Sequence, residues 1–275
     1  MAEALFDGDA IRAASLVRHV EIHDEIGSTN DRAAELAQEA ATLLPTLVVT
    51  RRQMAGRGRG QNLWASAEGA LTFSILLQPS SIGIATSNWP QLSLATAVAI
   101  CDVLGEELQA EINGNENGGA SLGIKWPNDV MLNDRKVCGI LIESPAATIR
   151  REQLIIGIGI NVNNSWQREP VDVSANRIAL CDASSRCHDL QRTLLRLLTA
   201  LETRLKEVAT QDPCLPRAWQ KLCWLRGKRI EVSDAGRTIE GMCVGTAEDG
   251  RIVIQSGSKS VRLLSGSVRF FESPK

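Results

Sequence analysis

The spacing of apolar positions changes period several times along this chain, and each change marks a predicted element. Residues 1–18 carry a weakly amphipathic helical pattern, followed by a short strand-like stretch at 20–23. Ser28, Thr29, Asn30 and Asp31 then precede Ala33-Ala34-Glu35-Leu36-Ala37, an N-cap cluster feeding a helix-forming run. The β-branched stretch 46–50 predicts a strand that runs into 51–62, which lacks apolar periodicity and reads as a loop. Residues 70–77 predict a strand and 91–108 a helix. The Asn- and Gly-rich segment 111–120 reads as a surface loop. Three strands are predicted next, at 121–126, 136–143 and 153–162, and then helices at 189–208 and 213–222.

Character changes near Arg226. Short β-rich runs at 229–232, 238–244, 252–254, 261–264 and 268–271 are punctuated by Asp234-Ala235-Gly236 and Glu248-Asp249-Gly250, the pattern of a small β-barrel. So short a unit is weakly stable alone and is expected to dock on the rest. The expectation is therefore an α+β chain of two unequal domains, 1–225 and 226–275, with no internal repeat.

Composition narrows the function classes. Of 275 residues, 44% are hydrophobic and 23% charged, which excludes disordered and fibrous classes. Thirty basic residues against 32 acidic ones give a net charge of −2, so there is no overall basic field for nucleic acid, although a local patch stays open. The N-terminus carries acids where a secretory leader needs Lys or Arg. The longest near-apolar run, 92–101, is about half the ~20 residues of a membrane span, so no membrane partner is expected. Seven cysteines, at 101, 138, 181, 187, 214, 223 and 243, include no C-x-x-C pair. They predict reduced thiols in a cytoplasmic protein, without a zinc ribbon or thioredoxin-like centre.

Three stretches carry candidate chemistry. Between 51 and 59 there are four arginines and no acid, with glycines at 56, 58 and 60. Glycine lets backbone approach a ligand, and Arg57 and Arg59 offer bidentate donors to phosphate or carboxylate. The spacing is neither the dinucleotide fingerprint nor the P-loop, so the stretch is a solvated turn, an RNA-contacting loop, or an anion-binding loop that closes over a nucleotide. Lys125, between Ile124 and Trp126, points either to water or into a site, and Asn128 and Asp129 follow it with turn-capping side chains. Residues 155–163 alternate β-branched side chains with Gly157 and Gly159 and end near Asn161: a plain central strand, or an apolar floor for a ligand. The three histidines, His19, His23 and His188, lie beside no motif, and no His/Cys/Asp cluster has metal-ligand spacing. No tyrosine and only four phenylalanines disfavour an RNA-stacking sheet. Most of the six tryptophans are assigned to the core, except Trp64 and Trp126, which flank the two loops.

Together these stretches resemble the biotin–protein ligases (holocarboxylase synthetases). Ser28-Thr29-Asn30, Gln53-x-Ala55-Gly56-Arg57-Gly58-Arg59-Gly60 with Trp64-x-Ser66, Lys125-Trp126-Pro127-Asn128-Asp129, Lys136-x-x-Gly139-Ile140-Leu141-x-Glu143 and Gly157-x-Gly159-Ile160-Asn161 stand in the family's order, over about 20–270. The resemblance implies a class II synthetase-like core, a mixed sheet with helices packed on one face, and a C-terminal SH3-like barrel. It implies that biotin and Mg·ATP give biotinyl-5′-AMP, whose biotinyl group passes to a lysine of a biotin carboxyl carrier protein. Lys125, Arg57 and Arg59 are the implied catalytic cations. Ser28, Thr29, Asn30, Gln53, Gly58, Gly157 and Gly159 join them around biotin, and Gly56, Trp64, Asn128 and Asn161 join them around the nucleotide. No protein-held metal is implied, and Mg2+ is expected with ATP. The 27 residues before Ser28 are too few for the winged helix of repressor-type members, so no DNA binding is expected; monomer and homodimer both stay open. Gly60-Gln61-Asn62 departs from the further arginines of those members. The rival readings are a lipoate or octanoate ligase or transferase, disfavoured by the arginine loop and the Lys125–Asp129 stretch, and a non-catalytic biotin sensor, which would need no phosphate cations.

Overall fold

Strand-forming runs assemble into two sheets in the computed structural model, which describes residues 5–108, 120–146, 148, 152–167, 175–234 and 236–271. The larger sheet holds β1 (His19–Ile26), β2 (Thr46–Gln53), β3 (Leu71–Leu77), β4 (Leu122–Lys125), β5 (Asp129–Leu132), β6 (Arg135–Glu143) and β7 (Leu154–Ile160). Its order is β1-β2-β3-β7-β6-β5-β4, and only β1 and β2 run parallel. The sheet is thus mixed, as expected. Among the described residues the α-helices are α1 (Gly8–Ala13), α2 (Thr29–Leu36), α3 (Leu92–Glu107), α4 (Leu180–Ser184), α5 (Leu190–Thr210) and α6 (Cys214–Lys221).

β3 and β7 are buried along their whole length, so their two faces are told apart by what each residue touches. Phe73, Ile75, Ile156 and Ile158 enter the main core with α3 and α5. Leu76 and Ile155, with opposite parity, join Val48 and pack on Ala33, Leu36 and Ala37. The long helices therefore share one face of the sheet, and the short α2 lies on the other. α3 is apolar almost all round because it is enclosed by the sheet and by α5, whose own stripe of Leu194, Leu197, Leu198, Leu201 and Leu205 has helical spacing. Replacing a fully buried member such as Leu198 by Ala would cost about 2–5 kcal/mol.

Two local expectations differ from the structure. Residues 51–53 continue β2, pairing Arg52 with Glu25 and Gln53 with Ile26, rather than opening the loop. Arg51 and Arg52 are exposed, so no apolar face signals a strand there. β5 appears between two of the expected strands, where no element is predicted; four residues suffice because it pairs on both sides, with a bulge after Val130. The loop expected at 111–120 lies outside the described residues except for Ala120.

The C-terminal strands β8 (Arg229–Asp234), β9 (Arg237–Thr246), β10 (Ile252–Ser256), β11 (Lys259–Leu263) and β12 (Ser267–Phe271) form an antiparallel sheet in the order β11-β10-β9-β8-β12. The pairing leaves β11 and β12 as edges, so what stands where a barrel is expected is a five-stranded antiparallel sheet, without the closure of a barrel among the described residues. Tryptophans tie it to the larger unit: Trp126 Nε1 donates to the Gly250 carbonyl at 3.0 Å, Trp219 Nε1 to Ala247 at 3.1 Å, and Trp224 meets Phe270 edge-on at 4.9 Å. The connecting segment also pairs with β4, since Ile124 N–H donates to Leu222 (2.7 Å) and Trp224 N–H donates back to Ile124 (3.0 Å). Among the described residues no helix is long and apolar enough to cross a membrane.

Candidate active site

On the α2 side of the sheet, side chains are missing where the strands need them smallest. Gly157 and Gly159 share parity with Ile155, so both open onto this face, and Gly139 pairs directly with Gly159. A Cβ on Gly157 would stand 2.1 Å from Asn30 Oδ1, and one on Gly159 would stand 2.3 Å from the Trp64 ring. The glycines are thus required by close approach. Above them lies a cavity of about 550 Å³ that runs from the N-terminus of α2 to the C-terminal sheet.

One end of this cavity is polar and uncharged. Ser28 caps α2, with extended backbone and its hydroxyl accepting from Asp31 N–H. That cap places Thr29 and Asn30 in the first turn, both buried. Thr29 donates to Gln53 Oε1 from its backbone N–H (2.7 Å) and its hydroxyl (3.0 Å). Ser74 on β3 is placed to donate to Thr29 Oγ1 at 2.7 Å and to Asn30 Oδ1 at 2.6 Å. Asn30 Nδ2 donates to Glu143 Oε2 at 2.7 Å.

Two residues along β7, roughly 6.7 Å on, the surroundings become cationic. Lys136 bonds Asp129 at 2.6 Å and stands 6.0 Å from the centre of the Trp64 ring. Lys125, at the end of β4, is half-buried with its ammonium 5.5 Å from the Phe270 ring centre. Burial pushes the Lys125 pKa below its ordinary 10.5, helped by Lys136 and opposed by Asp129. A cation held in such surroundings gains more from an arriving anion than a fully hydrated one would.

The arginine loop forms a small hairpin. Gly58 N–H donates to Asn62 at 2.7 Å, Trp64 N–H donates to Gly56 at 2.9 Å, and Gly60 takes a positive φ of 67° at the tip. Arg57 bonds both Glu143 oxygens at 2.7 Å, while its Nε reaches Asp31 at 3.0 Å. Burial raises the Glu143 pKa, but the bonds from Arg57 and Asn30 outweigh it and leave the carboxyl below its ordinary 4.5. Arg59 donates to the Gly266 carbonyl at 2.5 Å, so the second arginine touches the C-terminal sheet.

Of the residues singled out by sequence, the cavity brings together Ser28, Thr29, Asn30, Gln53, Arg57, Gly58, Arg59, Trp64, Lys125, Asn128, Gly157 and Gly159. Asn128 lines it, but its amide donates to the Ile140 carbonyl at 2.7 Å and ties β5 to β6. Gly56 lies behind the wall, where a Cβ would meet the Trp64 carbonyl at 2.4 Å. Asn161 is not in the wall; it is buried beyond the end of β7 and accepts from Asn164 at 2.9 Å. Trp126 is core rather than an exception to it, although its edge reaches the cavity. The sequence reading passed over Ser74, a buried hydroxyl inside an apolar strand that backs Asn30, and the wall supplied by Ser233, Asp234 and 266–268, which carries no local signal.

Comparison with known proteins agrees with this geometry. Residues 24–161 match the biotin/lipoate A/B protein ligase family. The chain is 31% identical over 253 residues to the bifunctional ligase/repressor BirA of Bacillus subtilis, covering 91% of this chain and 74% of that protein. It is 26% identical over 260 residues to the biotin–[acetyl-CoA-carboxylase] ligase of Mycobacterium tuberculosis, covering 94% and 91%. Among solved structures, the biotin protein ligase of Aquifex aeolicus in complex with biotin and ATP superposes with a TM-score of 0.75 at 28% identity, covering 92% of this chain and all of that one. The chain belongs to the biotin/lipoate A/B protein ligase family.

Proposed function

We infer that this protein is a biotin–protein ligase, joining biotin to a lysine of a biotin carboxyl carrier protein at the expense of ATP. The observation that carries the reading is one cavity with two ends: an uncharged donor–acceptor cluster at Ser28, Thr29, Asn30 and Gln53, backed by the buried Ser74 hydroxyl, and cations at Lys125 and Lys136. The first matches a ureido ring, which needs paired donors and acceptors without charge. The second matches a carboxylate and phosphates that repel one another until cations hold them in line.

In the first step the biotin carboxylate oxygen attacks the ATP α-phosphorus, the bond to the β-phosphate bridging oxygen breaks, and pyrophosphate leaves. Lys125 reduces the repulsion between the two anions. In the second step the neutral lysine amine of the carrier attacks the acyl carbon; an amide forms, AMP leaves, and the amine loses a proton. Arg57 and Arg59 anchor the glycine loop to Glu143 and to the Gly266 carbonyl, and a loop so held in the cavity wall would keep water from the acyl-phosphate anhydride. Trp64 offers an apolar face beside the nucleotide end, over Gly159. Magnesium enters as part of the nucleotide substrate. Among the described residues no group of three His, Cys, Asp or Glu is placed to hold a metal ion.

The test is pyrophosphate release from ATP with biotin, lipoate and octanoate offered separately, followed by mass spectrometry of an added carrier domain. Release with biotin and a biotinyl-sized mass gain are expected. Release with lipoate or octanoate instead would overturn the substrate assignment, and biotin binding without release would leave a sensor.

A further inference from the structure

We propose that Glu143, a residue to which no part in the reaction is assigned above, positions both the glycine loop and the biotin-end amide; the inference rests on the ligase reading. Glu143 ends β6 opposite Ile155, on the same face as Gly157. Its two oxygens each accept an N–H of the Arg57 fork at 2.7 Å, the bidentate geometry that fixes direction as well as distance. Oε2 also accepts from Asn30 Nδ2. One carboxylate thus ties together β6, the first turn of α2 and the loop hairpin.

Asn30 cannot choose its own orientation, because its amide could be turned either way round. With the nitrogen toward Glu143 and the Leu141 carbonyl, the oxygen faces the Ser74 hydroxyl. The reverse would set two oxygens against each other at the carboxylate. Glu143, at 2.7 Å against 3.4 Å for the Leu141 carbonyl, is the stronger of the two acceptors that set which hydrogen-bonding face the biotin end presents. Asp31 does not duplicate this role: it meets Arg57 through a single oxygen, is half-exposed, and bonds nothing on β6. Arg57, with three of its N–H groups directed at acids, acts as the clamp of the loop, and Glu143 as the post to which it is fastened.

Glu143→Gln keeps the size and an acceptor for Asn30 but removes the charge that holds Arg57. Biotinyl-AMP escaping into solution, counted per carrier lysine modified, is expected to rise about tenfold, the scale of losing one charge-assisted pair. Biotin-dependent pyrophosphate release should persist, with a raised KM for biotin. Arg57→Gln added to Glu143→Gln should cause no further escape, because the two act as one unit. Escape and KM equal to wild type, or effects of the two substitutions that multiply, would overturn the proposal. Hydrogen exchange of the unsubstituted protein gives a reading that needs no variant to fold. The amides of Gly58 and Trp64 should be protected before any substrate is added, and free-chain exchange rates there would also overturn it. Failure of the unsubstituted protein to release pyrophosphate with biotin would remove the ligase reading and this inference together.

Discussion

Gly157→Ala adds one methyl group to the floor of the cavity, and its cost follows from distances. The new Cβ would stand 2.1 Å from Asn30 Oδ1, 2.9 Å from Cγ and 3.0 Å from Nδ2. Restoring ordinary contact drives the amide back by about 1.3 Å, an overpacking that a close-fitted site absorbs poorly. Such a retreat breaks the 2.6 Å bond to Ser74 and the 2.7 Å bond to Glu143. The first is worth about 0.5–1.5 kcal/mol and the second, to a carboxylate, about 1.5–3 kcal/mol. Alanine recovers roughly 0.5–1 kcal/mol of strand propensity, since Gly157 has no positive φ. The net loss is about 2 kcal/mol, shared between folding and ligand binding. Borne by folding alone, it lowers Tm by roughly 4–8 °C; borne by binding alone, it weakens the biotin Kd about thirtyfold. Thermal melting and titration calorimetry, run side by side, apportion it. Gly27→Ala is the control, because nothing lies within 4 Å of its Cβ position. A Gly157→Ala protein that melts and binds biotin like wild type would refute the close-approach reasoning.

Lys125→Met should abolish pyrophosphate release while leaving Tm unchanged or raised. The lowered pKa means that the buried surroundings disfavour the charge, so stability from this group rises with pH as the proton is lost; a clear fall in Tm at neutral pH would contradict it. Trp126→Phe removes the 3.0 Å bond to Gly250 and strands that carbonyl, at a cost of about 1–2 kcal/mol. Melting should show a drop of roughly 2–8 °C. Glu107, which bonds Arg196 and lies 3.3 Å from both Arg186 and His188, is raised by burial but pulled below its ordinary 4.5 by these partners. A depressed carboxyl stabilises above its unfolded pKa and loses that contribution as pH falls through the folded one. Glu107→Gln should therefore melt below wild type at pH 7, with the gap closing under about pH 4.5; melting curves at a series of pH values would show a constant gap if the partners contributed nothing.

Much of this architecture is legible because local and global signals agree. Ser28 announces α2 by its capping chemistry, and the stripe of Leu194, Leu197 and Leu201 announces α5. Where they separate, the sequence is silent. Arg51 and Arg52 sit in a strand without any apolar side chain to announce it, and β5 is too short for periodicity. In the site, Gly157 and Gly159 are readable as close approaches, but not what approaches them. That Asn30 and Trp64 fill those places depends on pairing Ser74 with Gly157 and on the path of the arginine loop, both long-range facts. Asn161 shows the converse: one residue past the strand its side chain is buried against Asn164, so a motif position need not face the cavity its neighbours line.

The pairing of residues 222–224 with Ile124 reaches beyond the site. β4 is the last strand of the larger sheet, and its outer edge is covered by this connecting segment, held in turn by Trp224 against Phe270. A fragment cut at residue 225 would keep the cover but lose the weight that presses it down. The edge beneath would then offer unpaired amides and carbonyls to any other extended chain, the usual beginning of edge-to-edge aggregation. The small sheet thus acts as a guard on the solubility of the large one, and the chain has to be shortened, fused or split with that edge in mind.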